Sequence, residues 1–185
     1  MELVVRQLTP DLWPALEDLF ATTGPVGRCW CMYWRIGNQY RRQDPDANKA
    51  AFRKIVDDGP PPGLLAFDDD VAVGWCQLTP REELRSLDRT WRLGRVDEVP
   101  VWSISCFYVR KGYRREGVAR ITAAVETARR AGAPAVEAYP LDGAIAEQHV
   151  DRVCHHVRAR RFQDRRSTRA GTPDLALRVP AGRRW

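Results

Sequence analysis

Five cationic side chains fall within eleven residues in the second half of the chain, with one acidic side chain among them. The cations are Arg110, Lys111, Arg114, Arg115 and Arg120, and the acid is Glu116. This stretch follows an uncharged, strand-like run and opens a helical pattern. The first turn of a helix presents unpaired backbone N–H groups at the positive end of the helix dipole. The stretch therefore predicts a site for a phosphate group.

Small residues build the turn itself, since Gly117 and Ala119 flank Val118. An anion can approach the backbone at Gly117 because no Cβ stands in the way, and Ala119 lets a ligand or a neighbouring strand come close. Cations at a helix N-terminus are unfavourable unless an anion compensates them. The arginines that open this helix therefore favour a bound anion, whereas the Glu116 carboxylate stabilises the helix dipole and points away from the ligand.

A strand, a helix and a second strand must position this turn. Residues 101–109 carry no charge and are mostly β-branched or aromatic, which predicts a central strand. Apolar spacing and a stop at Gly132 predict a helix over 116–131, and residues 135–139 predict a short strand. This succession is a crossover, which requires the two strands to be parallel.

The remaining elements follow from periodicity and punctuation. Strands are predicted at 4–8, 64–67 and 71–78, the last two as a hairpin, with helices at 11–20 and 45–56 and an irregular stretch at 21–44. After residue 140 the pattern weakens, and we expect a helix at 145–160 and a closing hairpin of 162–167 with 175–179. The whole predicts a mixed α+β fold in one domain spanning residues 1–185.

The stretch from Cys106 to Ala119 resembles the acyl-CoA signature of the GNAT acetyltransferases, Arg/Gln-x-x-Gly-x-Gly/Ala at a strand-to-helix junction. The matching residues are Arg114-Arg115-Glu116-Gly117-Val118-Ala119. The resemblance covers nearly the whole chain and weakens after residue 145. It implies a mostly antiparallel sheet with one parallel, splayed strand pair, flanked by helices.

The resemblance also implies acetyl-CoA as co-substrate, without a metal ion. The backbone amides of 114–119, together with Arg120, would hold the pyrophosphate, and the backbone around Phe107, Tyr108 and Val109 would bind the pantetheine arm. One of those three amides would also polarise the thioester oxygen, as acyl transfer to an amine requires. The family's base is usually a carboxylate or a water chain. Glu98, just ahead of the strand, is the candidate base, and its alternative is a solvated loop acid.

At the proton donor for the departing thiolate, the sequence departs from the family's usual pattern. The family often places a tyrosine where this chain has Val157, and Arg161 stands at the glycine that usually follows it. The usual acid is therefore absent. Cys154 and either His155 or His156 lie nearby, with Cys154 and His156 as the candidates, because imidazole titrates near neutrality. The alternative is that both are ordinary surface or core residues and the thiolate takes its proton from solvent.

An aromatic segment at 28–35 has two interpretations. By resemblance it lines the acceptor site, with Trp30, Tyr33 and Trp34 suited to a cationic or flat amine. In the alternative interpretation, the segment forms a hydrophobic cluster that packs the first helices against each other. The Cys29-Trp30-Cys31 spacing within it does not suit a zinc site, and no metal ligand is predicted.

Composition limits the classes of function. The 185 residues hold five scattered cysteines and lack an apolar run long enough for a signal peptide or membrane span, so we expect a soluble, cytoplasmic protein without a membrane partner. The net charge of +6 is concentrated in 152–185, where ten arginines face two aspartates. Nucleic-acid binding by this region is disfavoured because few aromatic residues interleave the arginines. Edge strands offer pairing surfaces for a homodimer.

The leading hypothesis is an N-acetyltransferase acting on a primary amine of a small molecule, by direct attack without a covalent intermediate. Acetylation of a protein, at a lysine or at an N-terminal amine, is one alternative. A module that binds acyl-CoA without turnover is another, because the usual acid is absent and the base is ambiguous.

A bulky residue in place of Gly117 should abolish acetyl-CoA binding, because its side chain would occupy the space that the pyrophosphate needs. Gly117→Leu should leave the circular dichroism spectrum and the thermal midpoint of the free protein close to those of the wild type. Calorimetric titration with acetyl-CoA measures the effect, and an unchanged affinity would contradict this assignment.

Overall fold

The computed structural model describes residues 3–21, 26–90, 93–95, 97–114, 121–139 and 177–180. Within them the chain forms one sheet whose strands lie in sequence order, β1 to β6. The strands are β1 Val4–Gln7, β2 Gly63–Asp68, β3 Val71–Pro80, β4 Val101–Val109, β5 Ala135–Ala138 and β6 Leu177–Pro180. Only β4 and β5 pair in parallel among these neighbours, and the other pairs are antiparallel. The predicted mixed fold, the hairpin and the parallel crossover pair are confirmed.

Helices cover this sheet from both sides. They are α1 Trp13–Ala21, α2 Val26–Cys29, α3 Tyr33–Ile36, α4 Pro45–Asp58, α5 Arg85–Asp88 and α6 Ile121–Arg130, with 3₁₀ turns at Pro10–Leu12, Gly37–Arg41 and Arg81–Glu83. Asp44 caps α4 by accepting a hydrogen bond from the backbone N–H of Asp46 at 2.9 Å, and Gly59 ends it with a φ of 63°. None of the helices in the described ranges is long and apolar enough to cross a membrane.

The stretch 21–44, expected to be irregular, contains the short helices α2 and α3. Four-residue helices are too short to be stable alone, so burial against the rest of the protein must hold them. Cys29 is the last residue of α2, and Met32 directly precedes α3. Both are buried in the same cluster as Leu16 of α1 and Phe52 of α4. Periodicity could not reveal these helices because each is about one turn long.

Two hydrophobic clusters lie on the two faces of the sheet, because side chains alternate along each strand. The first packs α1, α2 and α4 against Leu65, Trp75 and Tyr108. The second packs α6 against Leu78 and Ile104. The sheet is therefore buried from both sides around its central strands, β3 and β4.

A β-bulge interrupts β4. Gln77 of β3 lies opposite Cys106 and the next residue, Leu78, lies opposite Ile104, so Ser105 is an extra residue in β4. The extra residue inverts the alternation of side chains beyond it. Ile104 faces the cluster under α6, whereas Cys106 and Tyr108 face the cluster under α1 and α4.

The C-terminal predictions are only partly covered by the described residues. β6 overlaps the predicted strand at 175–179 and pairs with β5. The helix predicted at 145–160 and the strand predicted at 162–167 lie outside the described residues, and a single domain over 1–185 stays a prediction.

Candidate active site

One edge of β4 is left open by the early end of β5. The parallel ladder begins with Val101 opposite Ala135 and ends with Ile104 opposite Ala138, while β4 continues to Val109. In the part of the chain that the structure describes, no strand pairs with this edge of β4 beyond Ile104. We call residues 105–109 on this side the open edge of β4.

The hydrogen-bond pattern determines which backbone groups face the open edge. The N–H of Arg110 donates to the carbonyl of Val73 on β3 at 2.9 Å. Because backbone groups in an antiparallel pair alternate in direction, Tyr108 also directs its N–H and C=O toward β3. Phe107 and Val109 direct theirs the other way, into the gap beside β5. Of the three backbone positions that the sequence proposed, two therefore face the open edge.

The side chains of α3 and β3 hold the bulge. Trp34 donates its indole N–H to the carbonyl of Ser105 at 3.1 Å. The Ser105 hydroxyl donates to Oε1 of Gln77 at 2.9 Å, and Nε2 of the fully buried Gln77 donates to the carbonyl of Cys31 at 3.3 Å. The segment between α2 and α3 is thereby tied to the position where the open edge begins.

The aromatic segment at 28–35 contributes one ring to the hydrophobic core and two to the candidate site. Trp30 is 7% exposed and stacks on Trp13, with ring centroids 5.4 Å apart, so its ring belongs to the first cluster. Positive φ angles at Trp30 and Cys31, 46° and 56°, reverse the chain at this point. Tyr33 and Trp34 are partly buried, and their rings contact each other edge to face at 4.5 Å. The structure brings Trp34, and with it Tyr33, to the bulge, whereas it packs Trp30 into the core.

The other predicted residues are distributed as follows. Arg114 is exposed, and its Nε donates to the carbonyl of Val109 at 3.2 Å, so the chain leaving β4 stays close to the end of the open edge. Glu98 is exposed in the loop before β4. It precedes Val101, which lies about 20 Å along the strand from Phe107. The turn at 115–120 and the candidate acids Cys154 and His156 lie outside the described residues.

A buried polar cluster, which the sequence interpretation missed, lies where β4 and β5 are still paired. Glu137 of β5 is 1% exposed, and its Oε1 accepts hydrogen bonds from Arg81 Nη1 at 2.6 Å and from Ser103 Oγ at 2.5 Å. The Tyr139 hydroxyl also donates to this oxygen. The rest of the guanidinium is used as well, since Nη2 of Arg81 donates to Asp88 at 2.8 Å and to the carbonyl of Leu93 at 2.5 Å.

Within this cluster, the Tyr139 hydroxyl resists deprotonation. Burial raises the pKa of Tyr139 well above its ordinary value, and its hydrogen bond to Glu137 and the negative charge of that carboxylate raise it further. Tyr139 therefore stays protonated at neutral pH and donates to Glu137. The arrangement suits the joining of strands better than proton transfer. In the sequence, the available sign of this cluster was Glu137, a charged residue inside the short apolar strand at 135–139. Its partner Arg81 lies 56 residues away, so no local pattern joins the two.

The family model described as "Acetyltransferase (GNAT) family" matches residues 15–147, well over half of the chain. The chain belongs to this acetyltransferase family. Among curated proteins, no sequence matches it.

Solved structures of low sequence identity that match with a TM-score above 0.5 share the fold. A polyamine N-acetyltransferase of Drosophila melanogaster is 14% identical, with a TM-score of 0.53 and 79% of each chain covered. An aminoglycoside N-acetyltransferase in complex with CoA is 17% identical, with a TM-score of 0.52, 90% of this chain and 95% of that chain covered. A GCN5-related N-acetyltransferase from Kribbella flavida is 18% identical, with a TM-score of 0.45, and the match covers 79% of this chain but 32% of that one.

Removing Arg81 should destabilise this GNAT protein by about 3–5 kcal/mol, because it would leave the Glu137 carboxylate buried without a cation. Arg81→Met combined with Glu137→Leu should recover part of that loss, since the unpaired buried charge is removed while the hydroxyls of Ser103 and Tyr139 lose their acceptor. Urea denaturation of the single and double variants measures both effects. Lys54→Met, which breaks the exposed pair with Asp58, is the control and should leave the midpoint unchanged. A double variant no more stable than Arg81→Met would contradict this account.

Proposed function

We propose that this chain transfers the acetyl group of acetyl-CoA to a primary amine of a small molecule, by direct attack of the amine on the thioester. The observation that carries the proposal is the open edge of β4, where the backbone groups of Phe107 and Val109 face the gap beside β5. An extended thioester arm can hydrogen-bond to such an edge as an added strand would. Membership of the GNAT family makes acyl-CoA the natural occupant.

In this proposal, the pantetheine arm lies along the open edge and the pyrophosphate lies at the turn 114–120. The contact between Arg114 and the carbonyl of Val109 supports this arrangement, because it joins the end of the edge to the start of the turn. Arg110 has a different role from the other cations. It donates to the carbonyl of Ala72 at 3.0 Å and pairs with Asp18 at 2.5 Å, so we assign it to holding β4 beside α1.

The chemistry requires three proton and charge adjustments. The amine must lose its proton before it attacks the thioester carbon, the carbonyl oxygen must be stabilised as it becomes negative, and the CoA thiolate must be protonated as the C–S bond breaks. The N–H of Phe107 or Val109 supplies the second of these. Glu98 stays the proposed base, and a chain of waters would have to connect it to the open edge. Cys154 and His156 stay the proposed donors to the thiolate.

The acceptor class follows from the aromatic residues at the bulge. Tyr33 and Trp34 offer partly buried ring surface beside the beginning of the open edge, which suits a protonated or flat amine. The polyamine and aminoglycoside enzymes that share the fold are named for small amines. Small amines are therefore the first acceptors to test, before protein lysines and N-termini.

Acetyl-CoA and CoA should raise the thermal midpoint of the purified protein, because a ligand that binds only the folded state stabilises it. The acetyltransferase activity is then measured as CoA release with a panel of small amines. No rise at millimolar acetyl-CoA would contradict the proposal. A rise without CoA release from any amine or peptide would instead support a module that binds acyl-CoA without turnover.

Replacing the N–H of Phe107 or Val109 by an ester oxygen, through incorporation of the matching α-hydroxy acid, tests the oxyanion role without changing a side chain. One of the two esters should lower kcat by about 10²–10³, the effect of losing one oxyanion donor. The same change at Tyr108 is the matched control. Its N–H faces β3, so the loss should appear as about 1 kcal/mol of stability rather than in kcat. Equal kcat values for all three esters and the wild type would exclude these amides from the reaction.

A further inference from the structure

Arg35 of α3 is a buried guanidinium with two of its three nitrogens unused. Its side chain is 9% exposed, and Nη1 donates to Glu83 Oε2 at 2.7 Å. Its Nε and Nη2 atoms are also buried, and no residue in the described part of the chain accepts a hydrogen bond from either. A buried charged donor without an acceptor loses its hydration and gains nothing in return. Its presence points to a ligand.

Arg81 is a buried arginine of the same protein with a structural role, and its hydrogen bonds can be compared with those of Arg35. It is 1% exposed, and its three nitrogens all donate, Nε and Nη2 to Asp88 and Nη1 to Glu137. The Arg35 side chain is 9% exposed, against 2% for that of Arg81, and it uses one nitrogen of three. The contrast separates a guanidinium that joins elements of the fold from one whose hydrogen-bonding capacity is only partly used.

The two unused donors lie on the same side of the guanidinium, because Nε–H and one Nη2–H point in parallel. We call this side the Arg35 fork. Such a fork matches the two oxygens of a carboxylate, which accept two parallel hydrogen bonds. Glu83 already offsets part of the positive charge from the Nη1 side. A singly charged carboxylate therefore suits the fork better than a doubly charged phosphate.

The position of Arg35 relates the fork to the open edge. Trp34, the preceding residue, is bonded to the carbonyl of Ser105, where the open edge begins. Glu83, the partner of Arg35, lies just beyond the end of β3, whose last residue Pro80 pairs with Trp102. Ser105 and Trp102 are about 10 Å apart along β4. Arg35 is therefore held near both positions, by Trp34 at the beginning of the open edge and by Glu83 after β3.

We propose that the Arg35 fork binds a carboxylate of the acceptor, so that the acetylated amine belongs to an amino acid or a similar small amine with a carboxylate. This inference rests on the proposed acetyltransferase function and narrows its substrate class. The carboxylate on Arg35 would orient the acceptor with its amine toward the open edge of β4. Arg35 would thus determine specificity by binding, without taking part in proton transfer.

The test compares amines that differ only by a carboxylate. CoA release is measured with the common amino acids, including lysine and ornithine, and with the corresponding decarboxylated amines, including cadaverine and putrescine. For at least one pair, the amino acid should have a kcat/KM about 10–100 times that of its decarboxylated counterpart, as expected for a charged hydrogen-bonded pair. The difference should lie mainly in KM.

Substitutions at the fork should remove this preference. Arg35→Lys keeps a positive charge but lacks the fork, and Arg35→Met lacks both, so both variants should bring the ratio within each pair close to one. Arg130→Lys, at an exposed arginine of α6, is the matched control and should keep the ratio of the wild type. Because Arg35→Met removes unpaired buried donors, its thermal midpoint should not fall, whereas a structural arginine would lower it.

Three outcomes would overturn the inference. They are a ratio near one for every pair in the wild type, a ratio that persists in Arg35→Met, and the absence of any amino acid that is acetylated or that raises the thermal midpoint of the acetyl-CoA complex. In each case, a midpoint raised by acetyl-CoA together with CoA release from any small amine would leave the proposed function standing. If acetyl-CoA itself has no effect, the proposed function fails, and this inference fails with it.

Discussion

The unequal length of two neighbouring strands is the constraint on which this site depends. β4 must pair along its whole length with β3, yet it pairs with β5 only as far as Ile104. Backbone groups of a central strand are normally satisfied from both sides, so an edge left open in the middle of a sheet exposes donors and acceptors that need partners. The bulge at Ser105 coincides with this point. It reorients the side chains beyond it, so that Cys106 and Tyr108 pack into the first hydrophobic cluster. The backbone groups of Phe107 and Val109, which alternate with them, face the open edge.

The bulge in turn depends on residues far away in the sequence. Trp34 binds the carbonyl of Ser105, and Gln77 links the Ser105 hydroxyl to the turn before α3. A bulge disrupts the strand ladder locally and therefore needs such outside partners. The short helix α3 thus has two roles. It satisfies the bulge through Trp34, and it carries Arg35 on the next position of the chain.

Buried charge is distributed unevenly around β4. The cluster of Arg81, Glu137, Ser103 and Tyr139 satisfies its polar atoms within the protein and joins β3, β4 and β5 where they are still paired. A buried polar network whose hydrogen bonds are satisfied in this way makes its surroundings rigid. Arg35 pairs with Glu83 of the 3₁₀ turn that also carries Arg81, and two of its nitrogens have no acceptor among the described residues. A binding residue needs rigid neighbours that fix its position. A network with its hydrogen bonds made, next to a cation with unused donors, is the arrangement expected of such a site.

Local patterns in the sequence determined the central strand, the parallel crossover and the resemblance of residues 114–119 to the GNAT signature, because each is a feature of consecutive residues. They also determined the hairpin and the helix at Pro45–Asp58, whose cap, spacing and stop lie within one segment. Only the tertiary structure decided that Ser105 is a bulge, that Phe107 and Val109 rather than Tyr108 face the gap, and that Trp30 is core while Trp34 reaches the site. The same holds for Arg81 with Glu137. These features join residues 56 to 71 positions apart, or depend on where a neighbouring strand ends, and no periodicity within one segment encodes either.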